Sequence, residues 1–547
     1  MVNPSTVSEE DDAQFRISRA RIVSHNIRPV VAVVVVAAGL SIASFLYFFA
    51  NGMTNVYGDG VAHVNIARKV VDSPDDSLWQ RYMQIGSPWL PLQTVLMLPL
   101  VANDWMWRTG AAGSFVSMLS FIIATLSLYL LAKSFYRKED GHWRELLPLM
   151  SVAVFAINPS VLYLQSTPMS EVLFMAALVT SVYLLQHWVN EPSAKRLAMA
   201  ALAMTIATLT RYEAWPVAAL SIIIVTLASS GDRKSRIKNV TLYSSVIAIG
   251  PLYWLWHNWA IYGNALEFLT GPNSARGIYV QNRVNFAWSK MFVGNAALDL
   301  LTMAAAVAVC VGPFVLLLGG AGFFRWLIAE RRWLVTTSPA LLLIVTFLFH
   351  VWSIYRGEIQ VFPLSAFGLL NVRYGLPHVL AVALFAPSAV LLFKTASRRR
   401  IFAVICAIVA AQYVYLISEG PAQLAMYQEG LRNGVNARAG RERSMVASYI
   451  ATHPPMGFVL MHTGALGPVV SQGDIRYSQV IHEGTARWHQ VEGNIPDDVS
   501  TVIVQRGDPL ADRISGSGAL LSALSTEFEE RLSVGNITVF ERLKSGN

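Results

Sequence analysis

Charge is the first thing this chain has little of. Of its 547 residues only 14% are Asp, Glu, Lys or Arg, while 54% are hydrophobic. Soluble domains carry roughly a quarter charged residues, so most of this chain expects hydrocarbon around it. Cysteine is nearly absent. Cys310 and Cys406 both lie inside apolar runs, which excludes a disulfide framework and leaves two thiols that behave as small hydrophobes. The net charge of +8 is not a nucleic-acid signature, because the basic residues gather in short loops between apolar runs. A cleavable leader is not expected either: the run 29–50 is too long for a signal h-region and ends without a small-x-small site. No repeat or low-complexity tract is visible, and the first dozen residues, acidic and polar, are expected to be disordered.

What is present is a series of apolar runs. A hydrocarbon core of about 30 Å needs roughly 20 helical residues. Suitable runs fall at 29–50, 110–132, 147–165, 170–188, 197–211, 214–230, 240–261, 298–320, 334–352, 374–393 and 402–418, which predicts about 11 transmembrane helices. Arg16, Arg19, Arg21 and Arg28 precede the first run. Further clusters follow alternate runs: Lys133, Arg137, Lys138 and Arg144; Lys195 and Arg196; Arg233, Lys234, Arg236 and Lys238; Arg325, Arg331 and Arg332; Lys394, Arg398, Arg399 and Arg400. All fall on one side of this count, and the positive-inside rule makes that side cytoplasmic. The expected organisation is a cytoplasmic tail 1–28, a transmembrane α-helical domain 29–418 with outer loops 51–109, 262–297 and 353–373, and an extracytoplasmic domain 419–547. In the last part Ala422–Met445 reads as helical, and 457–462, 501–505 and 536–540 read as short buried strands. A small α/β domain follows from that pattern.

The outer loops carry the chemistry. Asp59, in Tyr57-Gly58-Asp59-Gly60-Val61-Ala62-His63, stands just past the first run with a His one helical turn later. If a helix begins near Gly60, Asp59 is its N-cap; the other reading is a carboxylate at the membrane–water boundary acting as general base. Glu171, in Ser170-Glu171, suits the first turn of a helix by the dipole, or is a second carboxylate that orients an acceptor. Asp59, Glu171 and His63 could also form an oxygen-rich divalent-metal site, although nothing in their spacing requires one. Arg211-Tyr212-Glu213 interrupts an apolar stretch, where charges are paired or functional. Arg373 and Tyr374 open the tenth run, either as an interfacial anchor or as a fork for a lipid phosphate. Arg276 and Arg356 are weaker candidates for that contact. Trp89, between two prolines, could stack on a sugar ring. His462-Thr463-Gly464-Ala465-Leu466-Gly467 has the look of a phosphate loop, with ordinary turn glycines as the simpler explanation.

Taken as a set, Tyr57–His63, Gly86-Ser87-Pro88-Trp89-Leu90-Pro91-Leu92, Ser170-Glu171, Thr210-Arg211-Tyr212-Glu213 and Asn371-Val372-Arg373-Tyr374 resemble the GT-C superfamily of glycosyltransferases. The likeness covers about residues 29–418. It is nearest to bacterial members using a phospholipid-carried sugar, the protein O-mannosyltransferase and aminoarabinose transferase group. The resemblance implies a polyprenyl-phosphate sugar donor, an acceptor hydroxyl on the extracytoplasmic side, and Asp59 as catalytic base. Many members carry two adjacent acids in the first loop; here glycines flank Asp59. The implied reaction is an inverting transfer in a multi-pass protein of the cell (inner or plasma) membrane, with Arg373 and Arg211 on the departing phosphate and Glu171 and His63 positioning acceptor, base or metal. A polysaccharide polymerase or ligase, a lipid or solute transporter, and a membrane scaffold stand as the alternatives.

Overall fold

The computed structural model describes residues 9–74, 77–282, 290–329, 338–363, 369–491 and 493–543, and of 9–27 and 281–282 the backbone alone. Residues 1–8 of the tail expected to be disordered, Arg331, Arg332 and the side chains of Arg16, Arg19 and Arg21 therefore lie outside the described residues. From Glu9 the backbone is already helical and continues so to Ala50.

Among the described residues each of the eleven apolar runs is largely helical, but they are not alike. Arg28–Ala50, Ala111–Phe135, Glu171–Asn190, Val372–Leu392 and Thr395–Ile417 are each long and apolar enough to cross a membrane. Ala296–Val311 and Pro313–Ala329 reach that length only together, and they are bent by 112°. The straight span expected over 298–320 is thus broken. The cause is local: Gly312 sits at φ 94°, and Pro313 brings no N–H to continue the hydrogen-bond ladder. Val372–Leu392 is wound as a 3-10 turn (Val372–His378), an α-helix (Val379–Phe385) and a second 3-10 turn (Ala386–Leu392), with Pro377 and Pro387 in the turns. The other runs form shorter helices, among them Trp143–Ala156, Ala194–Thr208 and Ala214–Ala228, or the front-charged helix Arg233–Tyr262.

Ala111–Phe135 lies against both Glu9–Ala50 and Glu171–Asn190, and Glu171–Asn190 packs on Ala194–Thr208. One large apolar core runs through these contacts. The outward faces are apolar as well: Val35, Val36, Leu202, Leu317, Phe324 and Val414 are exposed. A continuous apolar exterior on helices of this length is stable in lipid and costly in water. The chain is a multi-pass membrane protein. Arg325 reaches Glu139 at 3.6 Å, which brings two of the basic loops to the same end of the bundle.

The C-terminal part holds a five-stranded sheet of order β2-β1-β3-β5-β4, where β1 is Phe458–Met461, β2 Val480–Ile481, β3 Val499–Gln505, β4 Phe528–Val534 and β5 Ile537–Arg542. β1 pairs in parallel with β2 and β3; β5 is antiparallel to β3 and β4. Val459, Leu460 and Met461 are fully buried, as a central strand covered on both faces requires. β2 and β4 escape the sequence pattern for opposite reasons. β2 has two residues, and β4 carries Glu529, Glu530 and Arg531 because it is an edge strand. The glycines after His462 make no phosphate loop. Helix Thr463–Gln472 starts directly after β1, and the Thr463 N–H is taken by Glu483 Oε2 at 2.8 Å.

This domain is latched to helix Gly58–Val71. Lys69 Nζ lies 3.2 Å from Glu483 Oε1, and the Tyr477 N–H donates to Asp72 Oδ2 at 3.1 Å. Arg68 meets Asp104 at 2.7 Å, and Asp104 also meets Arg476 at 3.1 Å.

The bundle depends on close backbone contact at Gly322, where an added Cβ would stand 1.9 Å from the Phe385 carbonyl oxygen. Gly322→Ala is expected to lower the thermal midpoint in detergent by the equivalent of about 1–3 kcal/mol. Gly320→Ala, where nothing lies within 4 Å, should leave it unchanged; fluorescence-detected gel filtration after heating measures both.

Candidate active site

Five separate segments meet at one end of the bundle. Helix Gly58–Val71 brings Asp59 and His63, and the N-terminus of helix Glu171–Asn190 brings Glu171. The turn before helix Ala214–Ala228 brings Arg211 and Glu213, and the 3-10 turn Val372–His378 brings Arg373 and Tyr374. The fifth segment is helix Ala425–Gly430, which follows the last span and carries Glu429.

Asp59 is not the N-cap. The helix begins two residues earlier than expected, at Gly58 with Tyr57 in the cap position, and Asp59 stands in its first turn. Its Oδ2 lies 2.5 Å from Arg373 Nη2. A guanidinium is a stronger partner for a carboxylate than a terminal N–H, which explains the difference. The same guanidinium holds two more carboxylates. Arg373 Nε reaches Glu171 Oε1 at 3.0 Å and Nη1 reaches Glu429 Oε1 at 3.2 Å. Glu171 Oε1 also accepts from Arg211 Nη1 at 3.1 Å, and Arg211 Nε donates to Glu213 Oε1 at 2.8 Å. Glu213 Oε1 is 3.1 Å from His350 Nε2; His350 Nδ1 is 3.3 Å from His378 Nε2; and His378 Nδ1 is 3.2 Å from Thr346 Oγ1. The Tyr374 ring lies 5.3 Å from the Arg211 guanidinium and 5.4 Å from that of Arg373.

Four carboxylates therefore face two guanidiniums. The cluster carries an excess of negative charge in a site largely closed to water, and only Asp59 is open, with 41% of its side chain exposed against 9% for Arg373 and 0% for Glu171. Such a site favours an electron-poor centre and disfavours an anion. The expectation that Arg211 and Arg373 serve as open phosphate forks meets this difficulty: three of the nitrogens of Arg373 and two of Arg211 already donate to protein groups.

His63 is buried, its ring centroid 4.8 Å from that of Trp89. Burial holds its pKa down to about 4 against the raising effect of Asp59 and Glu171, so it is neutral at physiological pH. His63 Nδ1 and Glu171 Oε2 are buried with no hydrogen-bond partner. They are the two polar atoms of the site that a ligand could satisfy. Trp89 is half-buried on His63. The metal set Asp59, His63 and Glu171 does not assemble. Among the described residues no group of three or more His, Cys, Asp or Glu side chains has the arrangement to hold a metal ion; Asp59 and Glu171 share Arg373 instead.

Two sequence candidates lie elsewhere. Tyr212 turns away from Arg211 and Glu213: its Oη donates to the Pro88 carbonyl at 3.3 Å, accepts from Trp254 Nε1 at 2.9 Å, and its ring stacks on Phe268 at 5.0 Å. Arg276 lines an open cavity of about 410 Å³ with Tyr279, Lys290 and Arg356. Conversely, sequence reasoning passed over Glu429, His350 and His378. The two histidines did leave a signal, being ionisable residues inside apolar runs. Glu429 left none, since a lone acid in a polar stretch is ordinary.

Two outcomes follow from this geometry. Arg373→Met removes the cation shared by three carboxylates and should destabilise the protein by about 3–5 kcal/mol, while the exposed Arg356→Met should not; thermal midpoints in detergent compare them. The folded pKa of His63 lies below the ordinary value of 6.5, so the unfolded chain binds its proton more readily. The stabilising contribution is complete above pH 6.5 and is lost as the pH falls toward 4, by about 3 kcal/mol at most. His63→Gln should flatten the pH dependence of the thermal midpoint across that window.

No family model matches the chain, and no curated protein sequence matches it. Solved structures do. ArnT from Cupriavidus metallidurans, bound to undecaprenyl phosphate, superposes with a TM-score of 0.54 at 13% identity, covering 94% of this chain and 98% of that one. The Archaeoglobus fulgidus oligosaccharyltransferase, in complex with Zn and sulfate, superposes with a TM-score of 0.50 at 12% identity, covering 86% of this chain and 68% of that one. On the likeness of its whole architecture to these two, the chain has the GT-C fold.

Proposed function

We propose that this protein is a glycosyltransferase that moves a sugar from a polyprenyl-phosphate carrier to an acceptor hydroxyl on the extracytoplasmic side of the membrane. The observation that carries the reading is the convergence of Asp59, Glu171, Arg211 and Arg373 in one hydrogen-bonded cluster, with Asp59 as its solvent-facing member. The fold is that of a protein bound to undecaprenyl phosphate, which supports the donor class. A lipid-borne donor also explains a site at the end of a membrane bundle: the tail stays in hydrocarbon while the head group meets water.

In this reading Asp59 takes the proton of the acceptor hydroxyl as its oxygen attacks the anomeric carbon. The bond from that carbon to the phosphate oxygen breaks on the opposite face, and the configuration inverts. Arg373 keeps Asp59 aimed. The surplus of carboxylates favours the electron-poor sugar carbon of the transition state. Glu171 Oε2 and His63 Nδ1, the unsatisfied buried atoms, are suited to sugar hydroxyls, and Trp89 is suited to flank the ring.

The departing phosphate needs cations that are not already shared among carboxylates. Arg276, Lys290 and Arg356, which line one cavity outside the cluster, are candidates for it; Arg356 lies 4.0 Å from Glu358.

Asp59→Asn keeps the side-chain shape and removes the base. It is expected to lower transfer from a purified polyprenyl-phosphate sugar by about 10²–10⁴-fold with the protein still folded. Near-native transfer by that variant would overturn the assignment.

A further inference from the structure

Glu429 is the acid of the cluster that has no place in the reaction above. It lies beyond the last span, in helix Ala425–Gly430, and is 2% exposed. Both carboxylate oxygens are used. Oε1 accepts the Asn371 N–H at 2.8 Å and Arg373 Nη1 at 3.2 Å, and Oε2 accepts the Val372 N–H at 2.9 Å. One buried carboxylate therefore grips the backbone just before Arg373 and the guanidinium itself. The grip falls where the chain needs support, for Asn371 is in the left-handed region at φ 52°, a conformation that few non-glycine residues adopt.

The same short segment clasps the other side of the Arg373–Asp59 pair. Tyr57 Oη donates to the Met426 carbonyl at 2.6 Å. An added Cβ on Gly430 would come within 2.8 Å of Val56, and one on Gly434 within 2.2 Å of the Val56 carbonyl oxygen. Residues 425–434 thus touch the turn that precedes Asp59 and the turn that carries Arg373. These two turns are more than 300 residues apart in sequence, and the segment between the last span and the sheet holds them together.

We infer that Glu429 is a positioning residue: by fixing Arg373 and the Asn371–Val372 peptides, it keeps the Arg373 guanidinium on Asp59. This rests on the reading of Asp59 as base, but the geometry can be tested apart from turnover. Glu429→Gln presents an amide –NH₂ among N–H donors. At least one of the three contacts must be lost, because a donor cannot accept. Glu429→Asp keeps the charge.

The test uses the full chain in detergent and reads hydrogen–deuterium exchange by peptide mass spectrometry, with β1 (Phe458–Met461) as internal control. Glu429→Gln is expected to raise exchange several-fold in the peptides that cover residues 371–374 and 57–60, with β1 unchanged, and Glu429→Asp should fall back toward wild type. Exchange that stays at the wild-type level in both peptides of Glu429→Gln, or that rises only together with β1, overturns the inference. Where transfer is measured in parallel, Glu429→Gln should lower kcat at least tenfold with KM within twofold. Loss of the exchange pattern defeats the role of Glu429; an intact pattern without any sugar transfer defeats only the enzymatic reading.

Discussion

The Arg373 guanidinium is the contact on which the site is organised. It donates from three different nitrogens to three carboxylates that arrive on three different segments: Asp59, Glu171 and Glu429. A planar fork spreads its donors over three nitrogens, whereas an ammonium offers three donors from a single nitrogen. Buried acids so close to one another would repel strongly, and the energy of a buried charge without a partner is several kcal/mol. The helices that carry these acids can therefore come together only with Arg373 in place. Arg211 repeats the device one step further in, joining Glu171 to Glu213, and the pair His350 and His378 continues the polar chain to Thr346.

From that constraint follows the division of labour proposed for the site. A guanidinium committed to carboxylates is a poor receiver for a phosphate but a good support for a base. Asp59 is the one acid of the four that is substantially exposed, so it is the one positioned to exchange a proton with an incoming group. The unsatisfied atoms of Glu171 and His63 lie behind it, out of water. A basic cavity formed by Arg276, Lys290 and Arg356 stands further along the outer chain.

The α/β domain is joined to this arrangement rather than merely appended. Arg68, Lys69 and Asp72, roughly two and a half to three and a half turns beyond Asp59 at the end of the same helix, meet Asp104, Glu483 and the Tyr477 N–H. The segment 425–434 leads from the last span into the domain along the turns of Asp59 and Arg373. A shift of the domain would be felt at both residues of the central pair.

Much of this was legible in the chain itself. The scarcity of charge and the long apolar runs call for helices in lipid, where a helix satisfies its own backbone; among the described residues five of the eleven expected runs reach span length alone and a sixth as a bent pair. Alternation and turn residues marked three of the five strands, and Asp59, Glu171, Arg211, Glu213 and Arg373 stood out as ionisable groups at the ends of apolar runs. Tertiary structure decided what those groups do. It broke the run at Gly312-Pro313, moved the helix start to Gly58, sent Tyr212 to Pro88 and Trp254, left Arg276 in a separate cavity, and replaced a metal-like triad by a shared guanidinium. It also added Glu429, whose sequence surroundings give no hint of burial. The physical reason is the same in each case: hydropathy and helix length are local properties of a chain, whereas the partner of a buried charge is chosen by whichever distant segment packing brings within about 3 Å.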